Sequence, residues 1–278
     1  MYDDLKGKYA LITGSGKRSG IGYAITRVLA ENGVNVFIAD LGKIGKGTGD
    51  VKTATENEMN EIAGELESSF KVKAIPINLD VTDPESVNAM VDKIKETTEY
   101  IDILCNNAGA SFGVPGALHS YDNEAWMKTI DVNLHGVFHV SRAVVPLMQG
   151  RAGSIINTSS RASKVPPILN GAYAVAKAGV NMFTKVMARE LAGAGIRVNA
   201  ICPGQIQTDL EKWRFGLEAK FYQCTVEERE AEMCKTIPLG RIGDPGEVGE
   251  LVAFLASSSS SYITGQAINI TGGQLLEY

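Results

Sequence analysis

The chain has 278 residues, of which 44% are hydrophobic and 21% charged, the balance of a soluble globular protein that can bury a good core in one large domain or two small ones. A net charge of −5 with no basic tract argues against nucleic acid or an anionic membrane as the main partner. No apolar run reaches the roughly 18 residues of a membrane span, and the first strand-like run starts at residue 9, leaving no room for a signal peptide.

The elements alternate from the start. A strand over 9–13 runs into Gly14-Ser15-Gly16-Lys17-Arg18-Ser19-Gly20-Ile21-Gly22 and then directly into a helix over 21–32. Glycines between a strand and a helix let backbone approach a pyrophosphate, and the helix start offers free N–H groups and a positive dipole end. A second strand, 34–40, ends on Asp40. A carboxylate there accepts the ribose hydroxyls of NAD and repels the extra phosphate of NADP. Lys17 and Arg18 push the other way, and the balance favours NAD. The stretch 41–55 carries Gly42, Gly45, Gly47 and Gly49 among few large apolar residues, so it reads as a mobile surface loop near an adenosine. Helix 56–68, strand 72–78, helix 84–97, strand 101–106 and a long helix 123–148 follow. Strand 153–159, helix 172–192 and strand 197–202 complete the rhythm until residues 205–236, helical by composition and holding Trp213, Phe215, Phe221 and Tyr222. Such an insertion can cover a ligand as a lid, or its aromatics can simply pack onto the body. Helix 245–256 and strand 267–271 close the chain. Short apolar strands alternating with helices, without a linker, predict a single doubly wound, Rossmann-type α/β domain with a parallel sheet. Cys105, Cys202, Cys224 and Cys234 show no C-x-x-C spacing; they read as small hydrophobes in a reduced, cytoplasmic protein.

Tyr173, with Lys177 one helical turn on and Ser160 thirteen residues before it, carries the chemistry. A free phenol titrates near 10, so it is a poor acid–base group at neutrality unless its anion is stabilised. A lysine on the same helix face supplies that charge. The pattern alone is weak, since Tyr2 and Lys6 repeat it near the N-terminus. Context gives it weight.

The chain resembles the short-chain dehydrogenase/reductase family along almost its full length. The matching features occur in order: the glycine loop, Asn106-Asn107-Ala108-Gly109, Asn133 in Asp-Val-Asn-Leu, Ser160, Tyr173 with Lys177, and Pro203-Gly204. The resemblance implies that Tyr173 exchanges a proton with the substrate oxygen, that Lys177 lowers its pKa and holds the nicotinamide ribose, and that Ser160 bonds the same oxygen. Asn133 matches the residue that holds a water linking Lys177 to solvent. Asp80 and Val81 match adenine contacts; Asn107, Ala108 and Gly109 line the adenosine ribose; Ile206 and Thr208 meet the carboxamide. Family members commonly form tetramers through helices that correspond here to 123–148 and 172–192.

The function so implied is NAD-dependent interconversion of a small secondary alcohol and a ketone. Two alternatives stand beside it: a non-catalytic NAD-binding scaffold, and an enoyl reductase. The latter is suggested by the five residues between Gly14 and Gly20, where the usual loop has three; either Gly14 or Gly16 can be the motif's first glycine. Enzymes of that branch, however, place six residues between tyrosine and lysine, and that position here is Val180. Ser159 rivals Ser160 as the catalytic hydroxyl. His135 and His139 have a metal-compatible spacing but lack a third ligand placed with them, so packing is the better reading. Arg161, Lys212 and Arg214 are candidates to hold an anionic substrate group.

Overall fold

The structure, a computed structural model, describes residues 2–43, 48, 49 and 51–277. Among these, seven strands form one parallel sheet in the order β3-β2-β1-β4-β5-β6-β7. They are β1 Tyr9–Thr13, β2 Asn35–Asp40, β3 Ala74–Asn78, β4 Ile103–Asn106, β5 Gly153–Thr158, β6 Ile196–Pro203 and β7 Ala267–Ile270. The α-helices are α1 Ile21–Glu31, α2 Glu56–Phe70, α3 Pro84–Lys95, α4 Asn123–Ile130, α5 Gly136–Val144, α6 Gly171–Leu191, α7 Asp209–Tyr222, α8 Val226–Lys235 and α9 Pro245–Ala256.

Strand side chains alternate between two cores because successive Cβ atoms point to opposite faces. Ile12, Val36, Ile38 and Ile156 join Leu29, Ile62 and Val252 on the face covered by α1, α2 and α9. Leu11, Phe37, Leu104 and Ile155 join Met90, Val144 and Ala188 on the other. Each fully buried aliphatic side chain contributes about 1.5–3 kcal/mol, so both faces must be covered for the continuous apolar strands to be stable. Chain order reverses between β1 and β4, which opens a crevice at their C-terminal ends.

Six helices begin with a side-chain cap: Thr55, Asp83, Asp122, Thr208, Thr225 and Asp244 each accept a first-turn N–H. α1 does not, because its N-cap is Gly20. Among the described residues no helix is long and apolar enough to cross a membrane.

The structure departs from the sequence expectations in three places. The helix expected over 123–148 is one helical run, but Asp131–His135 forms a π turn between α4 and α5, and Val145–Leu147 ends it in a 3₁₀ turn. β5 stops at Thr158, so Ser159 and Ser160 lie beyond the strand. The stretch 41–55 is less loose than its composition suggests. Thr48 and Ala54 are buried, Thr48 Oγ1 accepts the Ser111 N–H at 2.8 Å, and a Cβ on Gly49 would meet the Trp213 ring at 2.3 Å. Gly45 and Gly47 lie outside the described residues.

Candidate active site

The glycine loop is built by close approach of backbones. Gly14 has φ +65°, and a Cβ there would lie 2.7 Å from Ala108 Cα. A Cβ on Gly22 would lie 2.1 Å from the Gly14 carbonyl oxygen, so α1 presses directly on the end of β1. Gly14 is therefore the first glycine of the motif. Gly16 makes room for different neighbours, since a Cβ there would meet Met59, Ala54 and Asp40 at 2.7–2.8 Å. Ser15 is buried and donates to the Ile12 carbonyl at 2.8 Å. Gly20 leaves the first turn of α1 without a side-chain cap, and its N–H groups stay available for an anion.

A cavity of about 440 Å³ opens over this loop. Of the residues singled out in the sequence, Gly14, Ser19, Gly20, Ile21, Asp40, Asp80, Val81, Asn107, Ala108, Gly109, Tyr173, Lys177 and Thr208 line it. Asp40 closes one end, its Oδ2 accepting the Gly16 N–H at 2.9 Å and its Oδ1 the Leu41 N–H at 2.8 Å. Burial raises its carboxyl above the usual range, and these two backbone bonds oppose that. Asp80 Oδ1 accepts from the Thr82 N–H and hydroxyl. Asn107 is more than a turn residue: its side-chain amide donates to the carbonyls of Thr13 and Gly14, both at 3.0 Å, and ties β4 to the glycine loop. Ser15, Gly16, Gly22, Asn133, Ser160, Pro203, Gly204 and Ile206 are not among the cavity's lining residues. Gly204 backs onto Thr271, and Ile206 bridges to Gly243.

Tyr173 and Lys177 line the same cavity. The Ser159 hydroxyl is buried and donates to the Lys177 carbonyl at 3.0 Å, so it is spent on α6. The Ser160 Oγ accepts the Ala162 N–H at 3.1 Å and caps the turn that follows the strand, and Ser160 is the side chain that opposes the rise of the Tyr173 phenol. Lys177 is buried, its Nζ 5.6 Å from the centre of the Tyr173 ring and donating to the Thr158 carbonyl at 2.8 Å. Asn133 sits in the π turn, its amide nitrogen donating to the carbonyls of Thr129 and Ala110. Its Oδ1 is buried without a hydrogen-bond partner. A Cβ on Gly109 would lie 2.9 Å from that oxygen and 3.5 Å from Lys177 Nζ, so glycine keeps open the space the two polar atoms share.

Burial sets both protonation states here. It raises the Tyr173 phenol above its ordinary value, the Ser160 hydrogen bond opposes this, and the Glu211 charge adds to the rise. Burial also lowers Lys177 to about 8. The expected lowering of Tyr173 by Lys177 is therefore not seen in the protein alone, because loss of water dominates at both groups. The folded state holds fewer protons on Lys177 than the unfolded chain between about 8 and 10.5. Its penalty is thus fully present below 8 and relieved as pH rises through that window. Cofactor-free wild type should gain on Lys177→Met by on the order of 3 kcal/mol between pH 7 and 10.5. Urea midpoints across that range check this; a constant gap between the two proteins would show that Lys177 titrates normally.

Comparison with known proteins agrees with this geometry. A short-chain alcohol dehydrogenase family model described as enoyl-(acyl carrier protein) reductase matches residues 14–274. The chain belongs to the short-chain dehydrogenase/reductase family. It is 39% identical over 273 residues to the 3-oxoacyl-(acyl-carrier-protein) reductase FabG of Thermotoga maritima, covering 98% of this chain and 99% of that one. Among solved structures it is similar to carveol dehydrogenase from Mycobacterium avium in complex with NAD, with TM-score 0.90, 29% identity and coverage of 99% and 100%. It is similar also to L-sorbose reductase from Gluconobacter frateurii complexed with NADPH and L-sorbose, with TM-score 0.88, 28% identity and full coverage of both chains.

Several lining residues of this family member were not legible from motifs. Lys17 Nζ lies 3.0 Å from Asp209 Oδ2, and the Ser19 hydroxyl donates to the same carboxylate at 2.7 Å, joining the glycine loop to the start of α7. Thr48, Val51, Phe112 and Leu210 also reach the cavity. The acid at the start of a helix was the available signal for Asp209; nothing local marks the others. His135 bonds Asp131 at 2.7 Å and His139 the Val81 carbonyl at 3.2 Å. Among the described residues no cluster of His, Cys, Asp and Glu could hold a metal.

Proposed function

We propose that the protein is an NAD-dependent oxidoreductase interconverting a secondary alcohol and a ketone. The observation that carries this reading is that Tyr173 and buried Lys177 line the same cleft as Asp40 and the glycine loop, with Ser160 acting on the Tyr173 phenol. The uncapped start of α1 and the glycine contacts fit the pyrophosphate of a dinucleotide. When bound, NAD supplies the hydride acceptor or donor. Ser160 Oγ donates to the substrate oxygen and Tyr173 Oη moves its proton. Lys177 stabilises the phenolate that results, and the unpaired Asn133 Oδ1 beside it fits a water that connects Lys177 to solvent.

NAD is favoured over NADP because Asp40 is held by two backbone bonds while the nearby cations are already engaged. Lys17 pairs with Asp209, and Arg18 pairs with Glu65 and packs over Tyr23. The enoyl-reductase reading, which the family model's description favours, requires a cation where buried Val180 stands. The intact Ser160, Tyr173, Lys177 and Asn133 speak against a scaffold. The link from Asp209 to Lys17 and Ser19 supports α7 and α8 as a lid over the cleft. NAD reduction with a panel of secondary alcohols, beside NADH oxidation with enones, tests the assignment. Turnover of enones alone would overturn it, and turnover of neither would favour the scaffold.

Exposed Met127, Phe138, Val175, Met182 and Val186 on α4, α5 and α6 support a homotetramer built through these helices. Light scattering should return about four times the 29.7 kDa chain mass; a monomer would end that proposal.

A further inference from the structure

Three cations of the sequence are candidates for holding an anionic substrate, and their environments separate them. Arg214 is consumed. Its Nε and Nη2 donate to Glu211, Nη2 also to Gln205 Oε1, and Nη1 to Glu218. Lys212 is exposed on α7. Arg161 differs from both. It directly follows Ser160 and opens a 3₁₀ turn, Arg161–Ser163, packed against α6 and β6. It is half-buried.

The charges around it do not balance. Glu211 is the acid that acts on Arg161, yet both its oxygens are already bonded to Arg214. Glu218 is shared between Arg214 and Arg229. Two carboxylates thus serve two other guanidiniums, and among the described residues the Arg161 side chain has neither an ion pair nor a hydrogen bond. Withdrawing a guanidinium from water is costly unless something answers its charge and its donors. Ser160 caps the turn that Arg161 opens, and that turn packs on α6, the helix that carries Tyr173 and Lys177, so the guanidinium is rooted beside the hydroxyls of the site, outside the lining of the cavity over the glycine loop. A planar fork of donors matches a carboxylate bidentately.

We propose that Arg161 is the anion receptor of the substrate site and that the substrate is a compact hydroxy acid, with the corresponding keto acid as its product. The proposal rests on the alcohol–ketone reading above. In oxidation the carbinol C–H leaves as hydride to NAD, which becomes NADH. The O–H proton goes to the Tyr173 phenolate, which becomes the phenol, a C=O bond forms, and the carboxylate stays on Arg161 unchanged.

The test compares 2-, 3- and 4-hydroxy acids with their methyl esters, and with an N-acetylcysteamine thioester of a 3-oxo acid in the reverse direction. Wild type should prefer one acid over its ester by about 100-fold in kcat/KM, the scale on which a desolvated charge pair discriminates. Arg161→Met should bring that ratio close to one, and Arg161→Lys should restore part of it. Calorimetric titration of malonate into the enzyme–NADH complex gives a second, activity-free readout: binding to wild type and its loss in Arg161→Met support the receptor. Tyr173-dependent turnover of neutral alcohols, esters or the thioester, without preference for any acid, would overturn the anion receptor and leave the oxidoreductase reading standing. Arg161-dependent malonate binding without turnover of any alcohol would do the reverse.

Discussion

Tyr173→Phe is expected to reduce alcohol-dependent NADH formation by roughly 10³-fold or more, within the range that positioned acid–base groups contribute. NAD affinity should stay within about threefold, since the ring and its packing remain. Neither Ser160 nor Lys177 can replace the phenol: Ser160 has no base of its own, and Lys177 is directed to the Thr158 carbonyl. Burial holds the phenol above its ordinary value, so it is protonated at neutral pH. Ketone reduction, which takes a proton from Tyr173, should therefore run well near neutrality, while alcohol oxidation should rise with pH as the phenolate forms. Steady-state rates in both directions across pH, beside fluorescence titration of NADH, measure this. Activity retained in Tyr173→Phe would remove the tyrosine from the mechanism.

Asp40→Ser should change cofactor choice more than stability. Wild type should bind NADH more tightly than NADPH by about 100-fold or more. A carboxylate that accepts hydrogen bonds from a sugar is worth about 1.5–3 kcal/mol, and it repels a phosphate at the same place. Serine removes both effects, so NADH binding weakens by about tenfold or more while NADPH binding improves, and the ratio approaches one. The glycine loop should survive, because Asn107 and Thr13 fasten it independently of Asp40. Equal affinity of the wild-type protein for the two nucleotides would show that Asp40 does not set the preference.

Much of the site was legible because its signals are local. The run from Tyr9 through the glycines into α1 reads as strand, turn and helix within some two dozen residues. Tyr173 and Lys177 share a face by the helical period alone. The parallel, doubly wound sheet follows from the alternation of elements and the handedness of parallel crossovers, while the strand order is seen only in the structure. Legibility ends where one side chain's role depends on another far along the chain. Spacing from Tyr173 favours Ser160 over Ser159, and only the structure shows what occupies the rival, whose hydroxyl is given to the Lys177 carbonyl. Gly16 resembles a motif glycine until Met59 and Ala54 are seen against it.

By itself, the sequence determined the alternation of strands and helices, because periodic burial dictates it, and its ordered motifs carried the resemblance to the family. The tertiary structure decided what depends on distance in space. It placed Asn133 in a π turn with a free oxygen beside Lys177, a local rewinding that no residue pattern of α4 and α5 announces. It drew Thr48 into the wall of the cavity from a stretch that reads as loose. It also separated three equivalent cations by giving Arg214 its acids, leaving Lys212 to solvent and leaving Arg161 half-buried beside Ser160. Composition counts charges, but only packing determines which of them are already answered.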